Sequence, residues 1–460
     1  MKEACGIFGI YSFNGDQLSK PVYYGLFSLQ HRGQESAGIF ASDGKQFRGH
    51  TGMGLVNVVF NEENLKGITG HIAIGHVRYS TTGSSILANA QPIVVESRFG
   101  PIALGHNGNL INTDELRSLL PDYKFKSTTD SEVIAALIAN SEEKTFEGAL
   151  IATLKKCKGG FSLIIMTLDS LIAVRDPQGF RPLSIGKLKD SYVISSETCG
   201  LDVVGADFVR DISNGEMVII NKEGLQSKTW QRDEKEALCV FEYIYFARPD
   251  SIYAGRSFHD VRVHLGKYLA KEHPVDAEMI IAVPDSGIPA AIGFATEARI
   301  PYSEGLIKNR YIGRTFIQPT QSLREVGVRM KLNPIRDAIR GRKIVVIDDS
   351  IVRGTTSRQI VKLLRDYGAR EVHFRVSSPA IMYSCFYGID TPTRSELIAA
   401  NLSVEGIRRY LEADSLGYLS LKSLVKAVNL PKERLCLACL NGEYPVKIPE
   451  RMESLNLFFK

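Results

Sequence analysis

The stretch Ile344-Val345-Val346-Ile347-Asp348-Asp349-Ser350-Ile351-Val352-Arg353-Gly354-Thr355-Thr356 decides the architecture of the second half of the chain. Four consecutive apolar residues read as a strand buried on both faces. The strand ends on two carboxylates. A loop of Ser, Arg, Gly and Thr follows, and then Ser357–Tyr367 carries a helical pattern. Backbone N–H groups at such a helix start, with the neighbouring hydroxyls, form a cradle for a phosphate. Two carboxylates at the strand end suit a ribose diol or a Mg2+-bound substrate. A lone Asp-Asp is also explained by a capped strand-to-helix turn, but the whole run is far more specific. It is not a Walker A loop, since Gly-x-x-x-x-Gly-Lys-[Ser/Thr] is absent.

The same alternation continues on either side. Met279–Val283 is a fully apolar strand, Pro284-Asp285-Ser286-Gly287 a turn, Ile288–Ala298 a helix, and Glu371–Val376 a further strand. Strands alternating with helices predict a parallel sheet of α/β type. Asp285 and Ser286 stand at the C-terminal end of a strand, where open α/β sheets place ligands. Lys308–Gly327 is polar and basic through Lys308, Arg310 and Arg314. It reads either as a solvated loop or as a lid over an anion. Arg329 and Lys331 are weaker candidates for anion contacts.

The first half has another texture. Cys5–Tyr11, Gly70–Arg78, Pro101–Gly105, Phe161–Thr167, Tyr192–Ser195 and Met217–Ile220 are short apolar runs separated by glycine-rich turns, which predicts largely antiparallel sheets. Ser131–Ile138 is helical, with Asp130 as its N-cap. The hydrophilic segment Asn221–Glu236 marks a boundary, so two domains are expected, joined near residue 230. The length of 460 residues agrees, at roughly 100–200 residues per domain. With 44% hydrophobic and 23% charged residues the composition is globular. A net charge of +5 over this length is too weak for a general nucleic-acid binder. No apolar run reaches the ~18 residues of a membrane span, and no stretch resembling a signal peptide precedes the cysteines. Seven cysteines at low density point to reduced thiols in the cytoplasm rather than to a disulfide framework.

Four segments of the first half gain meaning together: Cys5-Gly6-Ile7-Phe8-Gly9; His31-Arg32-Gly33-Gln34-Glu35-Ser36-Ala37-Gly38; Gly75-His76-Val77-Arg78-Tyr79-Ser80-Thr81-Thr82-Gly83; and Gly105-His106-Asn107-Gly108-Asn109, which follows a strand. In this order they resemble the glutaminase domain of the N-terminal-nucleophile amidotransferases. The resemblance covers about the first 230 residues and implies an α+β fold, an αββα sandwich. It implies Cys5 as the nucleophile, its freed α-amine (reference pKa ~7.7–8.0) as the proton carrier, and the Asn107 side chain with the Gly108 N–H as the oxyanion site. Arg78 would clamp the glutamine carboxylate, and Asp130 would pair with the glutamine ammonium as well as, or instead of, capping its helix. Cys5 must then become the first residue, so Met1–Ala4 is expected to be a propeptide.

The second-half run resembles the 5-phosphoribosyl-1-pyrophosphate (PRPP) motif of type I phosphoribosyltransferases. It implies PRPP contacts from Asp285, Ser286, Lys308, Arg310, Asp348, Asp349, Ser350, Arg353, Gly354, Thr355 and Thr356, with Mg2+ at Ser286, Asp348 and Asp349. The two halves together resemble the glutamine phosphoribosylpyrophosphate amidotransferase family along almost the whole chain. That family frees ammonia from glutamine and uses it to displace pyrophosphate from PRPP, the first committed step of purine synthesis. Phe241–Ser251 resembles its segment linking the sites, although the aromatics there fit a core equally well. Purine nucleotides as feedback inhibitors and a homo-oligomer, tetramer or dimer, are implied in the same way.

Cys436-Leu437-Ala438-Cys439, with Cys239 and Cys385, offers four thiols in the second half. Four thiolates suit a structural zinc or a [4Fe–4S] cluster, and spacing does not separate them. The family's iron–sulfur branch matches these four positions and carries a propeptide, which implies a cluster with no catalytic role. Cys157 and Cys199 are expected to be buried packing. Two alternatives compete: another glutamine amidotransferase, and a phosphoribosyltransferase-fold regulator without catalysis. Against the first, the second half contains no Ser-Gly-Gly-x-Asp-Ser ATP loop and no paired sugar-isomerase domains. The second would leave the Cys5, Arg78, Asn107, Gly108 and Asp130 set without a purpose.

Overall fold

The structure, a computed structural model, describes residues 5–15, 17–79, 84–232, 235–309 and 331–450. The first domain contains thirteen strands: β1 Gly6–Ser12, β2 Ser36–Ser42, β3 Phe47–Met53, β4 Ile72–Arg78, β5 Ile93–Val95, β6 Ile102–Leu110, β7 Gly159–Met166, β8 Leu171–Arg175, β9 Ser184–Leu188, β10 Ser191–Ser195, β11 Asp207–Asp211, β12 Glu216–Asn221 and β13 Gly224–Thr229. They form a seven-stranded sheet, β11-β9-β10-β1-β4-β2-β3, and a six-stranded sheet, β13-β12-β8-β7-β6-β5. All these pairings are antiparallel.

The burial of β1 shows why the run is apolar without alternation. Ile7 and Tyr11 point into the core between the sheets, against Ile74, Ala103 and Ile164. Phe8 and Ile10 point the other way, into a core with Val22 and Leu26 of the helix Ser19–Ser28 and Leu201 of the helix Thr198–Val204. Helices Asp130–Ala139 and Phe146–Leu154 cover the outer face of the second sheet over Ile102, Leu104 and Leu163. Helix, sheet, sheet, helix is the expected αββα sandwich.

The second domain is a four-stranded parallel sheet in the order Met279–Ala282, Lys343–Asp348, Glu371–Val376, Ser415–Tyr418. Phe258–Glu272 and Ile288–Ala298 cover one face; Thr355–Asp366 and Val404–Leu411 cover the other. The first pair packs backbone against backbone. A Cβ on Gly266 would fall 1.8 Å from the Ala290 carbonyl, and one on Gly293 would fall 1.9 Å from that of Val263.

Three local expectations change. Thr129, not Asp130, caps the helix, its hydroxyl accepting from the Glu132 N–H; Asp130 is the first helical residue. His106-Asn107-Gly108 does not follow a strand but lies within β6. The Asn-Gly pair stays extended because Gly108 lets β6 approach β7: a Cβ there would sit 2.0 Å from the Gly160 carbonyl. The hydrophilic segment Asn221–Glu236 is only partly a boundary, since Gly224–Thr229 is the edge strand β13, whose outer face is solvated.

Candidate active site

Three of the predicted glutaminase residues converge. Cys5 is buried just ahead of β1, and its Sγ–H donates to the Tyr79 carbonyl at 3.4 Å. Gly6 pairs with Val77, which places Arg78, the last residue of β4, next to Cys5. Burial pushes the Cys5 thiol up; Arg78 acts to lower it, Asp130 and Glu35 to raise it. Arg78 is buried, donates to the Ser84 carbonyl at 3.3 Å and stands 3.6 Å from Glu35.

Asp130 is fixed by the Leu110 N–H at 3.0 Å and by His106, whose Nδ1 lies 3.4 Å from its Oδ1. Burial pushes this carboxyl up, but the His106 pair and the N–H bonds more than offset it, so it sits below the usual carboxylate range. Asn107 lies on β6, which faces β1 across the sandwich where Gly105 approaches Ile7. Its side chain is buried, and neither Oδ1 nor Nδ2 has a hydrogen-bond partner among the described residues. An unpaired buried amide costs roughly 1–3 kcal/mol, so such a group is expected where a ligand completes it.

In the second domain the acidic pair ends its strand as expected. Asp349 accepts from the hydroxyls of Ser286 at 2.5 Å and Ser350 at 2.6 Å, and its N–H donates to the Asp348 carboxylate at 3.0 Å. Burial, and for Asp348 also the neighbouring Asp349 charge, holds both carboxyls above their ordinary range. Gly354 adopts a left-handed conformation (φ +75°) at the N-cap of the helix Thr355–Asp366, so Thr355 and Thr356 form its first turn. Arg353 pairs with Glu396 at 2.9 Å, and Lys308 with Asp285 at 2.6 Å. Arg310, Arg314 and Arg329, with most of Lys308–Gly327, lie outside the described residues, as do Met1–Ala4.

All seven cysteines are free thiols. Cys239 and Cys436 are register partners in a two-residue parallel pair, Leu238–Cys239 with Leu435–Cys436. The N–H groups of Met382 and Tyr383 donate to the Cys439 carbonyl, which brings the Cys385 segment alongside. Burial pushes Cys239 up to about 11 and also raises Cys436 and Cys439, and the neighbouring Cys385 thiol acts in the same direction on all three. Among the described residues, no three His, Cys, Asp or Glu side chains are assembled as a site for a metal ion. Cys199 is buried in the first-domain core, whereas Cys157 is only partly buried, at the edge of the core between the second sheet and the helices Asp130–Ala139 and Phe146–Leu154.

A buried charged junction was not anticipated. Phe241, Tyr243 and Phe246 of the linking segment are core, but Glu242 between them is buried against Arg32 and Arg181. A carboxylate inside the apolar run Val240–Phe246 was the available signal, because a buried charge requires a partner. The partner itself, 210 positions away, was not readable.

The folds and these two clusters define a glutamine amidotransferase joined to a phosphoribosyltransferase, and the comparisons agree. Residues 76–202 match the glutamine amidotransferase domain family and residues 251–378 the phosphoribosyl transferase domain family. The chain is 53% identical to the amidophosphoribosyltransferase of Synechococcus elongatus, over 100% of this chain and 94% of that relative. It is 51% identical to that of Methanocaldococcus jannaschii, over 96% and 98%. The solved structure of the glutamine PRPP amidotransferase from B. subtilis, complexed with ADP and GMP, is 48% identical, with a TM-score of 0.92, and covers 97% of this chain and 98% of its own. The chain therefore belongs to the amidophosphoribosyltransferase family. Among its described residues no helix is long and apolar enough to cross a membrane.

Proposed function

We propose that this chain hydrolyses glutamine in its first domain and delivers the ammonia to PRPP in its second, giving 5-phosphoribosylamine, glutamate and pyrophosphate. The observation that carries the reading is the buried Asn107 amide, without a partner among the described residues, on the strand that faces β1 just beyond Cys5. After loss of Met1–Ala4 the Cys5 α-amine takes the thiol proton and the thiolate attacks the amide carbon. Asn107 Nδ2 and the Gly108 N–H hold the oxyanion. Arg78 binds the substrate carboxylate and Asp130 its ammonium. The adduct collapses to a thioester as the C–N bond breaks and the α-ammonium of Cys5 gives its proton to the departing ammonia; water then hydrolyses the thioester to glutamate and restores the thiol. Ammonia then attacks C1 of PRPP as pyrophosphate leaves, and a closed route preserves its lone pair, because in water near neutral pH it would mostly become ammonium.

Asp348 and Asp349, with the Thr355–Thr356 helix start, hold the substrate's ribose and phosphates, and Ser286 and Asp285 face its pyrophosphate. Ser286, Asp348 and Asp349 suit Mg2+ by their hard oxygen donors, and the ion would supply charge neutralisation at the leaving pyrophosphate. Cys239, Cys385, Cys436 and Cys439 suit a [4Fe–4S] cluster by donor type, and three chain segments converge there. A metal cluster would offset the cost of ionising thiols of which Cys436 and Cys439 are buried and Cys239 and Cys385 partly buried, and would staple the C-terminal segment to the junction. Purine nucleotides as inhibitors, a homo-oligomeric assembly and a cytoplasmic setting belong to the same reading. The B. subtilis relative crystallised with ADP and GMP supports the first.

The test is pyrophosphate release that depends on both glutamine and PRPP. In Cys5→Ala it should vanish with glutamine and persist with ammonia; persistence with glutamine would refute the reading. Mass spectrometry of active protein should find Cys5 as the first residue. Iron and sulfide in anaerobically purified protein should approach four of each per chain, and stoichiometric zinc without iron would refute the cluster.

A further inference from the structure

The carbonyl of Cys5 accepts a hydrogen bond from Arg32 Nε at 3.0 Å. The rest of that guanidinium is divided between two carboxylates. Nη1 donates to Glu197 at 2.5 Å and to Glu242 at 2.9 Å, and Nη2 donates to Glu242 at 2.7 Å. Glu197 belongs to the first domain; it also accepts from His31 at 2.7 Å and, from the linking segment, from the Arg248 N–H at 2.9 Å and the Ser251 hydroxyl at 2.9 Å. Glu242 belongs to the segment entering the second domain. It takes a further bond from Arg181 at 3.1 Å, and Arg181 donates onward to the Tyr387 carbonyl at 3.1 Å.

All three of the Arg32, Glu197 and Glu242 side chains are almost wholly buried. Two parallel N–H···O bonds fix the plane of a guanidinium, which a single bond does not. Without Glu242, the fork would lose that second anchor and the Nε–H would no longer be aimed at Cys5. Glu242 is itself held from the second domain. It opens a π-helical turn, Glu242–Phe246, and Arg262 donates to the carbonyls of Glu242 at 3.3 Å, Tyr243 at 2.9 Å and Ala247 at 2.7 Å.

We propose that Glu242 is a positioning residue which the second domain contributes to the glutaminase site: it orients Arg32, and Arg32 holds the main chain of the nucleophile. The glutaminase half-site is then incomplete without the junction segment, although every group that touches glutamine lies in the first domain. Glu242 itself meets no substrate. Its effect falls on the geometry of attack, hence on kcat for glutamine rather than on KM. This inference rests on the reading of Cys5 as the nucleophile.

The experiment compares Glu242→Gln with the parent enzyme in glutamine-dependent and ammonia-dependent pyrophosphate release. The amide keeps the shape and removes the charge. Glutamine kcat should fall by about 10-fold to 100-fold, the range a misplaced reacting group produces, while glutamine KM and the ammonia reaction stay within about twofold. Glutamine kcat retained within twofold would overturn the proposal. So would an equal loss of both reactions, which is what a merely structural role predicts. Should that variant be recovered unfolded, Arg32→Lys decides by the same criteria, since lysine keeps the buried cation but cannot serve both carboxylates and the Cys5 carbonyl. Cys5→Ala run alongside separates the two failures. If it keeps glutamine activity, the nucleophile assignment has failed; if only Glu242→Gln does, the positioning role has.

Discussion

Asn107 carries a buried amide with no hydrogen-bond partner among the described residues. Cys5 Sγ, in contrast, has the Tyr79 carbonyl, and Asp130 has His106 and the Leu110 N–H. A donor left unpaired at no reorganisation cost is worth most where charge develops. Asn107→Ala should therefore lower kcat for glutamine by about 100-fold to 1,000-fold, the range found for loss of one oxyanion donor. The KM for glutamine should barely move, because the ground-state contacts are proposed to come from Arg78 and Asp130. Steady-state kinetics with glutamine and with ammonia checks this; a rise in KM at constant kcat would reassign Asn107 to substrate binding.

The turn Cys385–Gly388 props the strand that carries Asn107. Asn109 Nδ2 donates to the Phe386 carbonyl at 2.9 Å, and the Tyr387 ring stacks on Phe180 with centroids 4.4 Å apart. Gly388 adopts φ +105°, and a Cβ there would lie 2.9 Å from both the carbonyl carbon and the Cα of Gly108. Gly388→Ala should therefore displace the strand that carries Asn107. We expect glutamine-dependent activity to drop by up to about 100-fold with the ammonia reaction largely intact. Equal activity with both donors would remove the turn from the glutaminase site. Legibility follows range at this scale. The run from Ile344 to Thr356 and the turn at Pro284–Gly287 were readable because strand, loop and helix there are contiguous. Helix Asp130–Ala139 was readable but its cap was not, because Thr129 and Asp130 are both good caps and only geometry chooses. The extension of β6 through Asn107 and Gly108 was misread because Asn-Gly is a turn signal. Its straightness depends on β7, more than fifty residues on.

The whole molecule is held at its junction by buried charge, which makes domain docking sensitive to acid. Glu197 and Glu242 are pushed up by burial, yet their partners more than offset this: His31 and Arg32 for Glu197, Arg32 and Arg181 for Glu242. Both carboxyls therefore sit below the usual range. A carboxyl held lower in the folded than in the unfolded chain adds stability that is complete above its unfolded value, about 4.3 for Glu. That contribution is lost as pH falls through the folded value. Asp176 works in the opposite sense. Burial raises its carboxyl to about 6, so the folded chain gains relative stability as pH falls from about 6 towards 3.9. A bare pH profile mixes the two, whereas the difference between parent and Glu242→Gln cancels Asp176. Removing one partner of a buried ion pair costs about 3–5 kcal/mol. The variant's deficit in denaturant unfolding should therefore be of that order at pH 7 and hold down to about pH 4.5. It should shrink below about pH 4.3, where Glu242 of the unfolded chain takes up its proton, and vanish as pH falls through the lower folded value. A deficit that stays constant from pH 7 to pH 3 would mean that Glu242 stabilises the junction through its shape and not its charge.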